Sequence, residues 1–181
     1  MKKLNICFVS IFIISILMSC DSQVYVCQPD QKVLFQCERI NYAWGDFHRG
    51  WFIDSEGNVR AYVQPEHWDF PNASGMLSDT AMLANLVQAD SICQQIDAKE
   101  LSDKVSLIER ASKGVLSKPS NEMADFGAIV YNCYTYDPKT KSYHCFLLDQ
   151  YGDIMISNKS AAAKELYLWL KDFTNQVAPK D

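Results

Sequence analysis

Phe126-Gly-Ala-Ile-Val-Tyr-Asn-Cys-Tyr-Thr-Tyr136, then Asp137-Pro-Lys-Thr-Lys141, then Ser142-Tyr-His-Cys-Phe-Leu-Leu-Asp149 reads as strand, turn, strand. Tyr, Val, Ile, Thr and Phe suit a pleated, half-buried surface, and Asp-Pro opens a turn. A turn centred on Lys139 sets Cys133 opposite Cys145, on the face of Tyr131, Tyr143 and Leu147. It sets Tyr134 opposite His144, beside Val130, Asn132, Phe146 and Leu148. Both faces are largely apolar, which predicts a central position in an antiparallel sheet.

Working outward, the same grammar recurs. Trp51-Phe-Ile53, Asp54-Ser-Glu-Gly-Asn58 and Val59 to Val63 predict a second hairpin, with Gly57 free to take the left-handed position. Leu147-Leu148, Asp149 to Asp153 and Ile154 to Ile156 predict a third. Val24–Cys27 and Lys32–Ile40, separated by Pro29-Asp30, read as a first hairpin or as a tether. Helices are expected where the period changes. Ser78 is an N-cap, with Leu77 and Met82 placed as a hydrophobic staple, and apolar residues recur near helical spacing through Leu86, Val87, Cys93 and Ile96. A second helix is expected over 98–113, capped by Asp97 and Glu100 and stopped at Gly114. A third begins at Ser160, with Ala162, Leu166, Trp169 and Phe173 on one stripe. The pattern is α+β: one domain, an antiparallel sheet built from hairpins and covered by two or three helices.

The N-terminus has a different logic. Lys2 and Lys3 precede thirteen uncharged, mostly apolar residues, Ile6 to Met18. A spanning helix takes ~20 such residues, so the run has the length of a secretory signal core. It ends Leu17-Met18-Ser19-Cys20, which resembles the lipobox of bacterial lipoproteins: aliphatic, variable, small, then cysteine. The resemblance implies that Leu17 and Ser19 are recognition positions. It also implies that type II signal peptidase cuts before Cys20 and that Cys20 carries the lipid. Three acyl chains would anchor the protein without a transmembrane helix, since two lipid signals already suffice. Asp21 fits retention in the inner membrane in some bacteria and surface export in others. The expected organisation is signal peptide 1–19, lipid-anchored tether 20–23, globular domain 24–175 and frayed tail 176–181, in a membrane-anchored protein of the bacterial cell envelope.

The 181-residue chain is 48% apolar with a formal net charge of −5, which excludes a disordered class. Losing Lys2 and Lys3 with the signal leaves 15 basic and 22 acidic residues. That balance, without a basic block, argues against nucleic acid as a partner. Five cysteines remain after Cys7 and Cys20: Cys27, Cys37, Cys93, Cys133 and Cys145. An exported compartment permits disulfides, and the hairpin register predicts one between Cys133 and Cys145.

Chemistry-bearing motifs are sparse. His48, His67 and His144 show neither HxH nor HxxxH spacing, so no metal or other cofactor is expected. No GxSxG, P-loop or GxGxxG occurs, and no catalytic residue is assigned. His144 and Cys145 are strand neighbours whose side chains diverge. The segment Tyr42-Ala-Trp44-Gly-Asp46-Phe-His48-Arg49-Gly-Trp51 interleaves aromatics with charge. Its residue types are those enriched at binding hot spots, which makes Trp44, Asp46, His48, Arg49 and Trp51 candidates for a protein, peptide or glycan partner. The opposing expectation is that these rings fill the core. Two functions follow: a non-enzymatic binding or scaffolding module, or a small envelope hydrolase with His48, His67, Asp46 or Asp69 in its site.

Overall fold

The computed structural model describes residues 25–43 and 45–177, with the backbone alone for 175–177. The expected signal peptide 1–19, Cys20, the expected tether 20–23, Val24, Trp44 and residues 178–181 lie outside the described residues. Among these, nine strands and four helical segments form an open α+β sheet in one domain: β1 Val33–Asn41, β2 Phe47–Asp54, β3 Asn58–Val63, β4 Met76–Ser78, α1 Asp79–Gln88, β5 Ser91–Gln95, α2 Ala98–Val105, α3 Ile108–Ser112, β6 Ser120–Asn121, β7 Ala128–Asp137, β8 Ser142–Gly152, β9 Ile154–Ser157 and α4 Ala161–Val177. The order across the sheet is β5-β3-β2-β1-β7-β8-β9-β6, with β4 on β8, and every strand pair is antiparallel. No described helix is long and apolar enough to cross a membrane.

Alternation along the strands divides the core in two. Phe35, Cys37, Trp51, Tyr131 and Cys133 meet α2, α3 and α4 through Leu101, Ile108, Leu166 and Phe173. Val33, Phe52, Tyr62, Tyr134 and Tyr143 form the other layer with Leu77, Met82 and Ala89 at α1. The central position expected for the 126–149 hairpin holds, since β7 lies between β1 and β8.

Local chemistry explains most of the elements. Ser78 Oγ accepts from Ala81 N at 3.2 Å, and Leu77 and Met82 share one buried cluster. Asp97 accepts from Lys99 N and Glu100 N at 2.9 and 3.2 Å, and Ser160 Oγ from Ala163 N at 3.0 Å. Glu100 does not complete a capping box; its Oε1 accepts from Trp169 Nε1 of α4 at 2.7 Å. In the β2–β3 turn Asp54 Oδ1 accepts from Glu56 N and Asn58 N, with Gly57 at φ +84°.

Several expectations are corrected. Among the described residues there is no first hairpin: residues 25–28 are irregular, and β1 pairs with β2 and β7. The apolar period through Cys93 and Ile96 is not one helix. α1 ends at Gln88, and Ser91–Gln95 satisfies the open hydrogen-bonding edge of β3 instead. The expected 98–113 helix breaks at Ser106 and Leu107, where Ser106 Oγ donates to Asp103 O at 2.6 Å. α4 continues through Val177, past the boundary expected for the tail.

The hairpin register is displaced by one residue. Asp137 pairs with Ser142, Cys133 with Phe146, Tyr134 with Cys145 and Thr135 with His144. The cause is loop parity. Asp137 caps the turn by accepting from Lys139 N at 2.9 Å, and Lys141 takes φ +50°. The loop is therefore four residues, 138–141, rather than five centred on Lys139. Cys133 then enters the α4 layer while Cys145 packs against the α1 layer. The Cys133–Cys145 disulfide expected from the sequence is absent: both thiols are free, as are Cys27, Cys37 and Cys93.

Candidate functional site

The segment 42–51 forms the end of the β1–β2 hairpin, where Asn41 pairs with Phe47. Because side chains alternate along β2, its candidate residues go to two faces of the sheet.

On the α1 face His48 lies beside Glu38 of β1, both under 10% exposed, with Nε2 to Oε2 at 3.1 Å. Three rings close around the imidazole. Tyr62 and Trp68 meet it edge-on at 5.3 and 4.9 Å, and Phe70 stacks at 5.6 Å. Gly50 makes this possible, because a Cβ there would meet Tyr62 Oη at 2.5 Å and also Cys37 O. In the space it leaves, Tyr62 Oη accepts from Gln36 Nε2 at 3.0 Å, and Gln36 Oε1 accepts from Tyr134 Oη. Burial raises the Tyr62 and Tyr134 hydroxyls well above their ordinary range. These hydroxyls therefore act as neutral hydrogen-bonding groups.

The segment from Gln64 to Gly75 is tied over this layer by side chains that imitate backbone pairing. Asn85 Oδ1 accepts from Asp69 N at 2.9 Å, and Asn85 Nδ2 donates to Asp69 O at 2.7 Å. Gln88 does the same at His67, accepting from its N and donating to its O. Gln64 Oε1 accepts from His48 N, and its Nε2 donates to Asp46 O. Asp46, His67 and Asp69 thus contribute backbone atoms here. His48 has Glu38 as its carboxylate partner, not Asp46 or Asp69.

On the α4 face lie Phe47, Arg49 and Trp51. Trp51 is only 4% exposed and packs on Phe173 at 6.4 Å, so it belongs to the core and not to a partner surface. Arg49 sits over the Phe47 ring at 4.8 Å. Directly across the strands is Arg39, over Phe47 at 5.4 Å and over Phe126 at 5.3 Å. Arg39 Nε is buried with no hydrogen-bond partner among the described residues.

Three of the thiols are poor nucleophiles. Burial pushes Cys37 and Cys145 up to about 12, and Cys133 higher still. His144 lies tilted against Phe146 at 4.3 Å, turned away from the layer that holds Cys145. Among the described residues no group of three His, Cys, Asp or Glu side chains is placed to hold a metal ion.

Sequence reasoning missed Glu38, Gln36, Arg39, Asn85 and Gln88. Asn85 and Gln88 carried a readable signal, since they interrupt the apolar stripe of α1 on its inner side. Glu38 and Arg39 carried none alone, because only the strand order makes them neighbours of His48 and Arg49. No protein-family model, no curated protein and no solved structure matches this chain.

Proposed function

We propose that this is a lipoprotein of the bacterial cell envelope, held to the membrane through lipid on Cys20, whose α+β domain is a non-enzymatic binding module. Its partner is a protein, peptide or glycan met at the β1–β2 end. The lipobox-like Leu17-Met18-Ser19-Cys20 supports the anchor. One observation carries the rest. Tyr25, five residues after Cys20, donates to Gln31 Oε1 and accepts from Tyr136 N at 3.2 Å. The chain thus joins the domain at the Asp137 end of β7, opposite the end that carries Asp46 and Phe47. Nine strand steps at ~3.3 Å separate Asp137 from Ala128, about 30 Å. An anchored chain would hold the first end near the bilayer and offer the second outward. The enclosure of His48 by Glu38 and three rings favours a structural role for it over a hydrolytic one.

Two measurements test this reading. Radiolabelled palmitate should enter the wild-type chain, and Cys20→Ala should abolish labelling and leave unprocessed precursor. A photo-crosslinking residue at Asp46 should give a discrete adduct in cells that one at Lys139 does not. A soluble, unlabelled wild-type chain would defeat the anchor, and identical crosslinking at both positions would defeat the binding surface.

A further inference from the structure

We propose that a cleft at the Asp137 end of the sheet binds a zwitterionic lipid headgroup, a phosphate joined to a primary ammonium, as in an aminophospholipid of the anchoring bilayer. The proposal rests on the anchored reading for the position of the bilayer and adds a second contact with it. The cleft measures about 260 Å³ and is lined by Asp30, Lys32, Asp79, Leu83, Tyr136 and Lys141. Sites for drug-sized ligands run from roughly 300 to 1,000 Å³, so this one suits a headgroup and not acyl chains.

Two carboxylates and two ammonium groups share the cleft. Among the described residues, neither lysine is ion-paired with either carboxylate. Opposite charges that share a cleft without meeting suit a ligand that carries both signs. Lys32 and Lys141 complement a phosphate, and Asp30 and Asp79 an ammonium. A purely anionic ligand would set its charge beside two carboxylates.

Tyr136 supplies an independent observation. It is 7% exposed, with its ring against Tyr143 at 4.9 Å. Its hydroxyl lines the cleft and has no hydrogen-bond partner among the described residues. Buried tyrosines ordinarily find a partner for that group. Burial, then the carboxylates of Asp79, Asp30 and Asp137, raise the hydroxyl above its ordinary value. It therefore stays neutral and can donate to a phosphate oxygen. Leu83, 39% exposed, is the aliphatic member of the lining, and the acyl shoulder of a lipid would cover it.

The place agrees with the chemistry. Tyr25 Oη accepts from Tyr136 N at 3.2 Å, so the chain from Cys20 enters beside the cleft. Five extended residues span at most ~18 Å, which keeps the cleft within reach of the headgroup layer. A structural role predicts something different. Asp79 would only complement the positive end of α1, the lysines would be solvated, and no headgroup would be preferred.

The test uses the full chain, purified in detergent from whichever cell fraction carries it, and follows the amide resonances of Asp79, Tyr136 and Lys141. The chain is titrated with glycerophosphoethanolamine, glycerophosphocholine, glycerophosphoglycerol and inorganic phosphate. Saturable shifts with glycerophosphoethanolamine are expected, at affinity about tenfold or more above the other three. Tyr136→Phe keeps the buried ring and removes the hydroxyl, and Lys32→Gln changes an exposed side chain. Each should weaken binding about tenfold, the size of one hydrogen bond to a charged group, while Lys139→Gln, outside the lining, leaves it unchanged. No saturable response, equal affinity for all four probes, inorganic phosphate bound as tightly as the headgroup, or undiminished binding in either folded variant overturns the proposal. The outcomes separate from the anchor. Headgroup binding by an unlabelled, soluble chain would leave this site standing while the lipoprotein reading fails, and a palmitate-labelled chain without a headgroup response would do the reverse.

Discussion

Replacing either partner of the Glu38–His48 pair removes a hydrogen bond that both residues make under 10% exposure. Glu38→Leu leaves His48 Nε2 facing a hydrocarbon, which costs ~1–3 kcal/mol for an unsatisfied buried polar group. His48→Leu does more damage, because it strands a carboxylate among Tyr62 and Gln36. Leaving a buried carboxylate without its partner typically costs ~3–5 kcal/mol. The double variant strands nothing, so it should be less destabilised than the two single losses combined, by at least ~1 kcal/mol of coupling. Urea unfolding reads this directly. With a slope near ~2 kcal/mol/M, His48→Leu should lower the midpoint by roughly 1.5–2.5 M, and the double variant should recover part of that. Additive losses, or a His48→Leu cost below ~1 kcal/mol, would refute the description of this pair as buried and mutually satisfied.

Other consequences are independent of that pair. Trp51→Ala should cost ~3–5 kcal/mol as a core deletion, roughly 6–20 °C in Tm, in a calorimetric scan. Non-reducing peptide mapping should recover Cys133 and Cys145 without a bond between them. Native alkylation should modify exposed Cys93 and spare Cys37, Cys133 and Cys145. Asp137 is held below the usual carboxylate range by donation from Lys139 N and then from Thr140 Oγ1. Its contribution to stability is therefore present above the unfolded value of ~4 and disappears as the pH falls through the lower folded value. Thermal melts between pH 5 and 2 should show a shallower acid loss in Asp137→Asn than in the wild type.

Elements whose signals are local were readable from the sequence. Ser78, Asp97 and Ser160 each sit a fixed distance before an amphipathic run, and the Asp54–Asn58 turn carries its own acceptor and its own glycine. The central place of β7 followed from apolar residues on both faces. What failed depended on parity or on distant partners. One residue of loop length, decided by Asp137 and Lys141, exchanged the faces of Cys145 and His144. Cys93 fits a helical period as well as a strand, and only the unfilled edge of β3 selects the strand. The 42–51 segment stood out by composition, yet alternation divides it between two layers. Trp51 became core and His48 a buried polar residue. Arg49 gained a partner, Arg39, that no sequence pattern linked to it.

The measurement that bears most directly on the anchored, outward-facing arrangement is energy transfer from a fluorophore at Lys139 or at Asp46 to acceptors in the headgroups of the anchoring bilayer. The five residues from Cys20 to Tyr25 reach at most ~18 Å when fully extended. With lipid on Cys20, as proposed, the Asp137 end would stay close to the bilayer, with the β1–β2 end up to about 30 Å further away. Strong transfer from position 139 and weak transfer from position 46 is the expected result. Equal transfer from both positions, or stronger transfer from 46, would contradict it.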